Sequence, residues 1–141
     1  MPVNLHGVAN CIRAALDTMI AQGHGRIVNI ASISTMRGGG AIGNTLYGTS
    51  KAGVVPLTMG LARELGPSGI TVNAIAPAVA DTPMTHTSLT PELIERTVSR
   101  IPLRWLATAA DIADAVTFLA SDRANFISGA VLPVDGGLLT T

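Results

Sequence analysis

Two short apolar runs constrain this chain more than anything else in it. Gly25-Arg26-Ile27-Val28-Asn29-Ile30-Ala31-Ser32 and Ile70-Thr71-Val72-Asn73-Ala74-Ile75-Ala76-Pro77 are rich in Ile, Val and Ala, and each closes on a small polar residue or a proline. Such runs read as strands buried on both faces, the pattern of a parallel sheet. A third candidate, at about residues 130–134, ends at Asp135-Gly136-Gly137. Between the strands the apolar spacing turns helical. Leu5, Val8, Ile12, Leu16, Met19 and Ile20 recur on one face of a helix over about 4–22, which Gly23 and Gly25 stop. Strands alternating with helices give an α/β fold, a parallel sheet of βαβ units with flanking helices.

A second helix is expected over about 45–65, ended by Gly66-Pro67, with Pro56 inside it removing a hydrogen bond and bending the axis. Residues 34–44 read as a glycine-rich loop. Residues 78–106 are polar and contain prolines, and read as a lid with one short helix capped by Thr90 and opened by Pro91 and Glu92. Thr108 is the expected cap of a last helix over 109–121, with Ile112, Val116 and Leu119 on its apolar face. The 141 residues suit one domain, and 48% hydrophobic content allows a sizeable core.

Nine basic and nine acidic side chains, evenly spread, give no patch for nucleic acid. The single cysteine, Cys11, excludes an internal disulfide and fits a reducing compartment. The amino terminus lacks the pattern of a signal peptide, and no apolar run is long enough to span a bilayer. A cytoplasmic protein with no membrane partner is the expectation.

The chemistry concentrates in Tyr47-Gly48-Thr49-Ser50-Lys51, which holds the only tyrosine and the only lysine. Four residues apart on a helix, a phenol and an ammonium project from one face. A phenol ionises near pH ~10, and a neighbouring cation favours the phenolate, so Tyr47 becomes a candidate general acid or base. Ser32 lies where the first strand delivers it, at the carboxyl end, where open α/β sheets build their sites.

Taken in order, Asn4-Leu5, the run 25–32, Tyr47 to Lys51, Val72-Asn73-Ala74-Ile75-Ala76-Pro77, Thr82-Pro83-Met84 and Val134-Asp135-Gly136-Gly137 resemble the signatures of the short-chain dehydrogenases/reductases, within them the 3-oxoacyl-carrier-protein reductase-like branch. The resemblance covers nearly the whole chain but only about the carboxyl-terminal half of a typical member. It implies a Rossmann-type sheet, NAD or NADP as cofactor, and interconversion of a secondary alcohol and a ketone, a 3-oxoacyl thioester among the candidates. It also implies site roles. Tyr47 matches the proton donor or acceptor, and Lys51 the residue that lowers the tyrosine pKa and holds the nicotinamide ribose. Ser32 matches the hydroxyl that polarises the carbonyl, with Ser34 as a competing candidate, and Asn4 the amide that supports a water in the proton relay. Pro77, Ala80 and Thr82 fall at cofactor-contacting positions, and a homo-oligomer is implied for the full-length form.

The chain departs from the pattern in three places. The loop from Ser32 to Tyr47 is slightly longer than in many relatives, and Pro77-Ala78 stands where the family has Pro-Gly. No glycine-rich turn of an amino-terminal nucleotide-binding βαβ unit precedes Asn4. Gly38-Gly39-Gly40 has the wrong spacing and place to replace it, and Gly43 with Gly48 fails as a P-loop because Thr49 occupies the lysine position. The first strand is then expected to be an unpaired apolar edge, and the chain to be a fragment or in need of partner surface, inactive alone. The rival reading is a non-catalytic remnant that serves as an interaction or dimerisation module.

Other candidates weigh less. His6, His24 and His86 show no metal-ligand spacing, so no metal is expected. Cys11 and Trp105 read as packing residues and Asp135 as structural. With no G-x-S-x-G elbow, the serines give no hydrolase.

Overall fold

The computed structural model describes residues 2–38 and 45–141. Among these residues the sheet has three parallel strands in the order β1 (Gly25–Ile30), β2 (Ile70–Pro77) and β3 (Val131–Val134). Gly25 lies opposite Ile70 and Ile30 opposite Ile75, so the first two strands end nearly level. The ladder continues past β1, with the Ala31 N–H donating to Ile75 and the Ile33 N–H to Pro77. Ser32 is therefore held at the carboxyl edge by bonds on either side of it.

Helix α1 (Val8–Gln22) follows a π-helical turn over Pro2–Gly7, and it packs with α4 (Val54–Leu65) on one face of the sheet. Ile12 and Leu65 from these helices meet Ile27, Ile70 and Val72 from the strands. On the other face α7 (Ala109–Ala120) lays Ile112, Val116 and Leu119 over Val28, Ile75 and Val134. Ile70, Val72 and Ile75 of the middle strand are at most 1% exposed. Each such side chain contributes about 1.5–3 kcal/mol by leaving water, so β2 anchors both layers.

Several boundaries differ from the sequence expectation. The single helix over 45–65 is two, α3 (Thr45–Ala52) and α4, divided at Gly53. Pro56 consequently sits in the first turn of α4, where an N–H has no intrahelical partner to lose. A Cβ on Gly53 would stand 2.9 Å from a methyl of Leu5, so glycine lets the π-helical turn close on the junction. Ser34–Arg37, read as loop, is a short helix α2 ended by Gly38 at φ 71°. Met36 N–H donates to Ile33 and Thr35 N–H to Ser32, which winds the chain directly off the strand. The glycines at 39, 40 and 43 lie outside the described residues.

Residues 78–106 hold two helices rather than one. The expected α6 (Pro91–Arg100) has Thr90 as its cap, and α5 (Pro83–Ser88) is capped by Thr82 in the same way. α7 begins as expected at Thr108, whose hydroxyl and Asp111 form a capping box. Among the described residues β1 pairs with β2 alone.

Candidate active site

The level ends of β1 and β2 open into a cavity of about 670 Å³. Ser32, Ile33 and Ser34 leave β1 into it, and Ala78 and Val79 leave β2; Tyr47 of α3 forms one side, and α5 and α6 contribute Met84, Thr85 and Leu93. The cavity is thus made by the parallel register, with helices from 78–106 placed over the strand ends.

Ser32 and Ser34 are both buried, and the Ser34 N–H donates to Ser32 Oγ at 3.1 Å. That bond uses a lone pair of Ser32 and leaves its O–H proton to donate to a ligand. Both serines reach the cavity wall, so the structure brings the two competing hydroxyls to one place.

Tyr47 is half-buried and lines the cavity, while Lys51, one turn along α3, does not. Lys51 Nζ donates to the Ile30 carbonyl at 2.9 Å. Burial holds its pKa below the ordinary lysine value, because partial removal from water disfavours the ammonium. The ammonium therefore sits beside the end of the first strand and does not line the cavity.

Asn4 is also behind the wall. Its amide Nδ2 donates to Ser50 Oγ at 3.0 Å, and Ser50 Oγ donates to the Tyr47 carbonyl at 2.7 Å. Ser50 is only 4% exposed. The π-helical turn thus reaches, through one buried hydroxyl, the backbone of the residue that carries the phenol. Sequence reasoning assigned Ser50 no role, although its place three residues after Tyr47 sets it on the neighbouring helical face.

Of the three cofactor candidates from β2 onward, Ala80 and Thr82 line the cavity and Pro77 does not. The Pro77 carbonyl is occupied by Ile33 N–H. Thr85 Oγ1 donates to the Ala80 carbonyl at 2.6 Å and lies 3.2 Å from Thr82 Oγ1, so this stretch is braced internally.

His86 and Asp81 make an exposed pair at 2.6 Å, and neither lines the cavity. Asp135 is structural, its carboxylate accepting from the N–H groups of Gly137 and Leu139. Two readings are corrected. Cys11 is exposed on α1 rather than packed, and Trp105 is 57% exposed rather than in the core. Cys11 lies outside the apolar stripe of α1, and single apolar residues such as Trp105 are common on protein surfaces.

Comparison with known proteins places the chain in a family. Residues 1–139 match the family model described as Enoyl-(Acyl carrier protein) reductase. An uncharacterized short-chain type dehydrogenase/reductase of Sinorhizobium fredii is 40% identical over 137 residues, covering 97% of this chain and 54% of the relative. The chain belongs to the short-chain dehydrogenase/reductase family. The 3-oxoacyl-[acyl-carrier-protein] reductase of Staphylococcus aureus is 44% identical over 138 residues, with 96% of this chain and 54% of the relative covered. Among solved members of the family, a gluconate 5-dehydrogenase of Burkholderia cenocepacia in complex with NADP and tartrate superposes with a TM-score of 0.92 at 32% identity, over 100% of this chain and 55% of that one. This short-chain dehydrogenase/reductase chain spans about half the length of the relatives it matches. The Rossmann-type reading of the sheet holds, as does the resemblance drawn from the motifs. Among the described residues no helix is long and apolar enough to cross a membrane.

Proposed function

We propose that this chain carries the catalytic part of an NAD(P)-dependent oxidoreductase that interconverts a secondary alcohol and a ketone. On this reading residues 1–141 are the carboxyl-terminal part of one domain, and 78–106 its lid. The observation that carries the proposal is that Ser32 and Tyr47 line one cavity, with Lys51 one turn along the helix from Tyr47.

The donor set fits the nicotinamide ribose end of a dinucleotide. Lys51 gives one of its three donors to Ile30, which leaves two for vicinal ribose hydroxyls beside the end of the first strand. Ala80 and Thr82 line the cavity itself. The coenzyme, when bound, supplies or takes the hydride at the carbinol carbon. Everything else falls to the protein. In reduction the Tyr47 hydroxyl gives its proton to the carbonyl oxygen as the carbon gains the hydride, and the product is a neutral alcohol; oxidation reverses both transfers. The Ser32 O–H donates to the same oxygen, stabilising the negative charge that develops there. The Lys51 ammonium stabilises the tyrosinate left behind. Asn4, through Ser50, holds the turn that aims the phenol.

The relatives' names suggest 3-oxoacyl thioesters among the ketones. Exposed Leu46 and Met59 on α3 and α4 suit an interface between copies of a longer form. The proposal is tested by fusing a glycine-rich βαβ unit upstream of Pro2 and following nicotinamide absorbance with a panel of ketones. The fusion is expected to turn over while the 141-residue chain alone does not, and Tyr47→Phe in the fusion is expected to lose about 10²–10⁴-fold, the worth of a positioned proton donor. A Tyr47→Phe fusion as active as its parent would remove the assigned role. A folded fusion inert to every ketone would favour the interaction module.

A further inference from the structure

Three guanidinium groups line the cavity: Arg37 from α2, and Arg96 and Arg100 from α6. No Asp or Glu is among its described lining residues. Leu93, Arg96, Thr97 and Arg100 have the spacing of one helical stripe, and all four reach the cavity. Placing two cations four residues apart opposes helix formation. The obvious neutraliser of Arg96 is Glu92, one turn before it in the favourable order, yet the Glu92 carboxylate accepts from Thr90, which lowers its pKa, and makes no ion pair with Arg96 among the described residues. Asp81, next to the wall, is taken up by His86. Arg37 gives one donor to the Leu138 carbonyl and keeps the rest. The wall thus combines apolar surface from Ile33, Val79 and Met84 with permanent positive charge that the described carboxylates leave unbalanced.

We infer that the substrate of this site is anionic: a ketone or secondary alcohol that bears a carboxylate or phosphate, held by Arg96 and Arg100 with Arg37 in the same cavity. The inference rests on the oxidoreductase reading for what happens at the carbonyl and on the arginines for what holds the other end. Guanidinium forks match carboxylate and phosphate oxygens in pairs.

Binding to the 141-residue chain, followed by ligand-observed NMR in low-salt buffer, tests this without turnover. Two pairs of probes separate the anion sources: acetoacetate against methyl acetoacetate for the carboxylate, and dihydroxyacetone phosphate against dihydroxyacetone for the phosphate. At least one anion is expected to bind tenfold or more tighter than its neutral partner. Arg96→Gln with Arg100→Gln is expected to erase that preference, and Arg37→Gln to reduce it. Both arginines of α6 are exposed, so loss of folding is not expected, and circular dichroism checks it. No detectable anion binding, equal binding within both pairs, or a preference that survives the double substitution in a folded chain would overturn the inference. A protein that prefers the anions but proves inert in the fusion assay keeps this inference and loses the oxidoreductase reading; an active fusion without the preference does the reverse.

Discussion

Lys51 Nζ and the Ile30 carbonyl oxygen lie 2.9 Å apart, joining the helix that carries the phenol to the last residue of the first strand. The bond anchors the ammonium, while burial works against its charge and lowers its pKa from 10.5. The consequence for stability has a definite sign. Between the lowered folded pKa and 10.5 the unfolded chain binds more protons than the folded one, so this group's contribution rises as pH climbs through that window and levels off above it. Urea midpoints for the parent and Lys51→Met, taken at stepped alkaline pH, are expected to diverge upward for the parent. A difference that falls with pH would mean that the Ile30 bond outweighs desolvation.

Asn29 and Thr58 form a buried polar pair between β1 and α4. Asn29 Nδ2 donates to Thr58 Oγ1 at 2.9 Å, and that hydroxyl donates to the Val54 carbonyl at 2.8 Å. Thr58 is 0% exposed. Thr58→Val keeps the shape but strands the Asn29 amide, at a cost of about 1–3 kcal/mol. Thr58→Ser keeps the hydroxyl and is expected to recover most of that loss. Urea denaturation of the two variants checks the order, and equal destabilisation would show that methyl packing, not the hydrogen bond, matters here.

Thr108 and Asp111 cap α7 reciprocally. Thr108 Oγ1 accepts the Asp111 N–H at 3.2 Å, and Asp111 Oδ2 accepts the Thr108 N–H at 2.7 Å. The bonds from the Thr108 backbone and side chain lower the Asp111 pKa. Thr108→Ala is expected to cost about 0.5–2 kcal/mol. Since the carboxylate's folded pKa is depressed, its contribution is present above the ordinary aspartate value and is lost as pH falls through the folded one. Asp111→Asn should therefore flatten the acid limb of the stability curve; an unchanged limb would assign the cap to the threonine alone.

How much of this was legible in the sequence follows from what each feature depends on. β1 and β2 announce themselves because buried parallel strands need continuous apolar runs, and α7 because Thr108 marks its start. Thr82-Pro83 carries the same start signal as Thr90-Pro91, so α5 is readable even within its polar stretch. The break at Gly53 was not readable, since it depends on Leu5, far away in the chain. The same holds for the site. Tyr47 and Lys51 are one helical turn apart in any helix, whereas the carbonyl that anchors Lys51 and the hydroxyl that links Asn4 to α3 exist only once the chain has folded. Arg96 and Arg100 were visible as a spacing, but only the cavity gives that spacing a direction.

The turns that enter β1 and β2 touch glycine to glycine, and this sets up a comparison between two substitutions. Gly23 and Gly69 both have positive φ, 63° and 73°. A Cβ on Gly23 would meet nothing within 4 Å, whereas one on Gly69 would stand 2.2 Å from the Gly23 carbonyl oxygen. Gly23→Ala should therefore cost only the left-handed backbone term, about 1–2 kcal/mol. Gly69→Ala adds a clash with backbone, which cannot rotate aside as a side chain can. It pushes apart the turns that set Gly25 opposite Ile70, so it is expected to destabilise the chain well beyond Gly23→Ala. Because the strand register places Ser32 at the cavity, Gly69→Ala should also shift the NMR resonances of Ser32 and Ser34, while Gly23→Ala leaves them in place. Equal costs for the two variants, with both serines undisturbed, would mean that the Gly69 turn moves independently of the sheet.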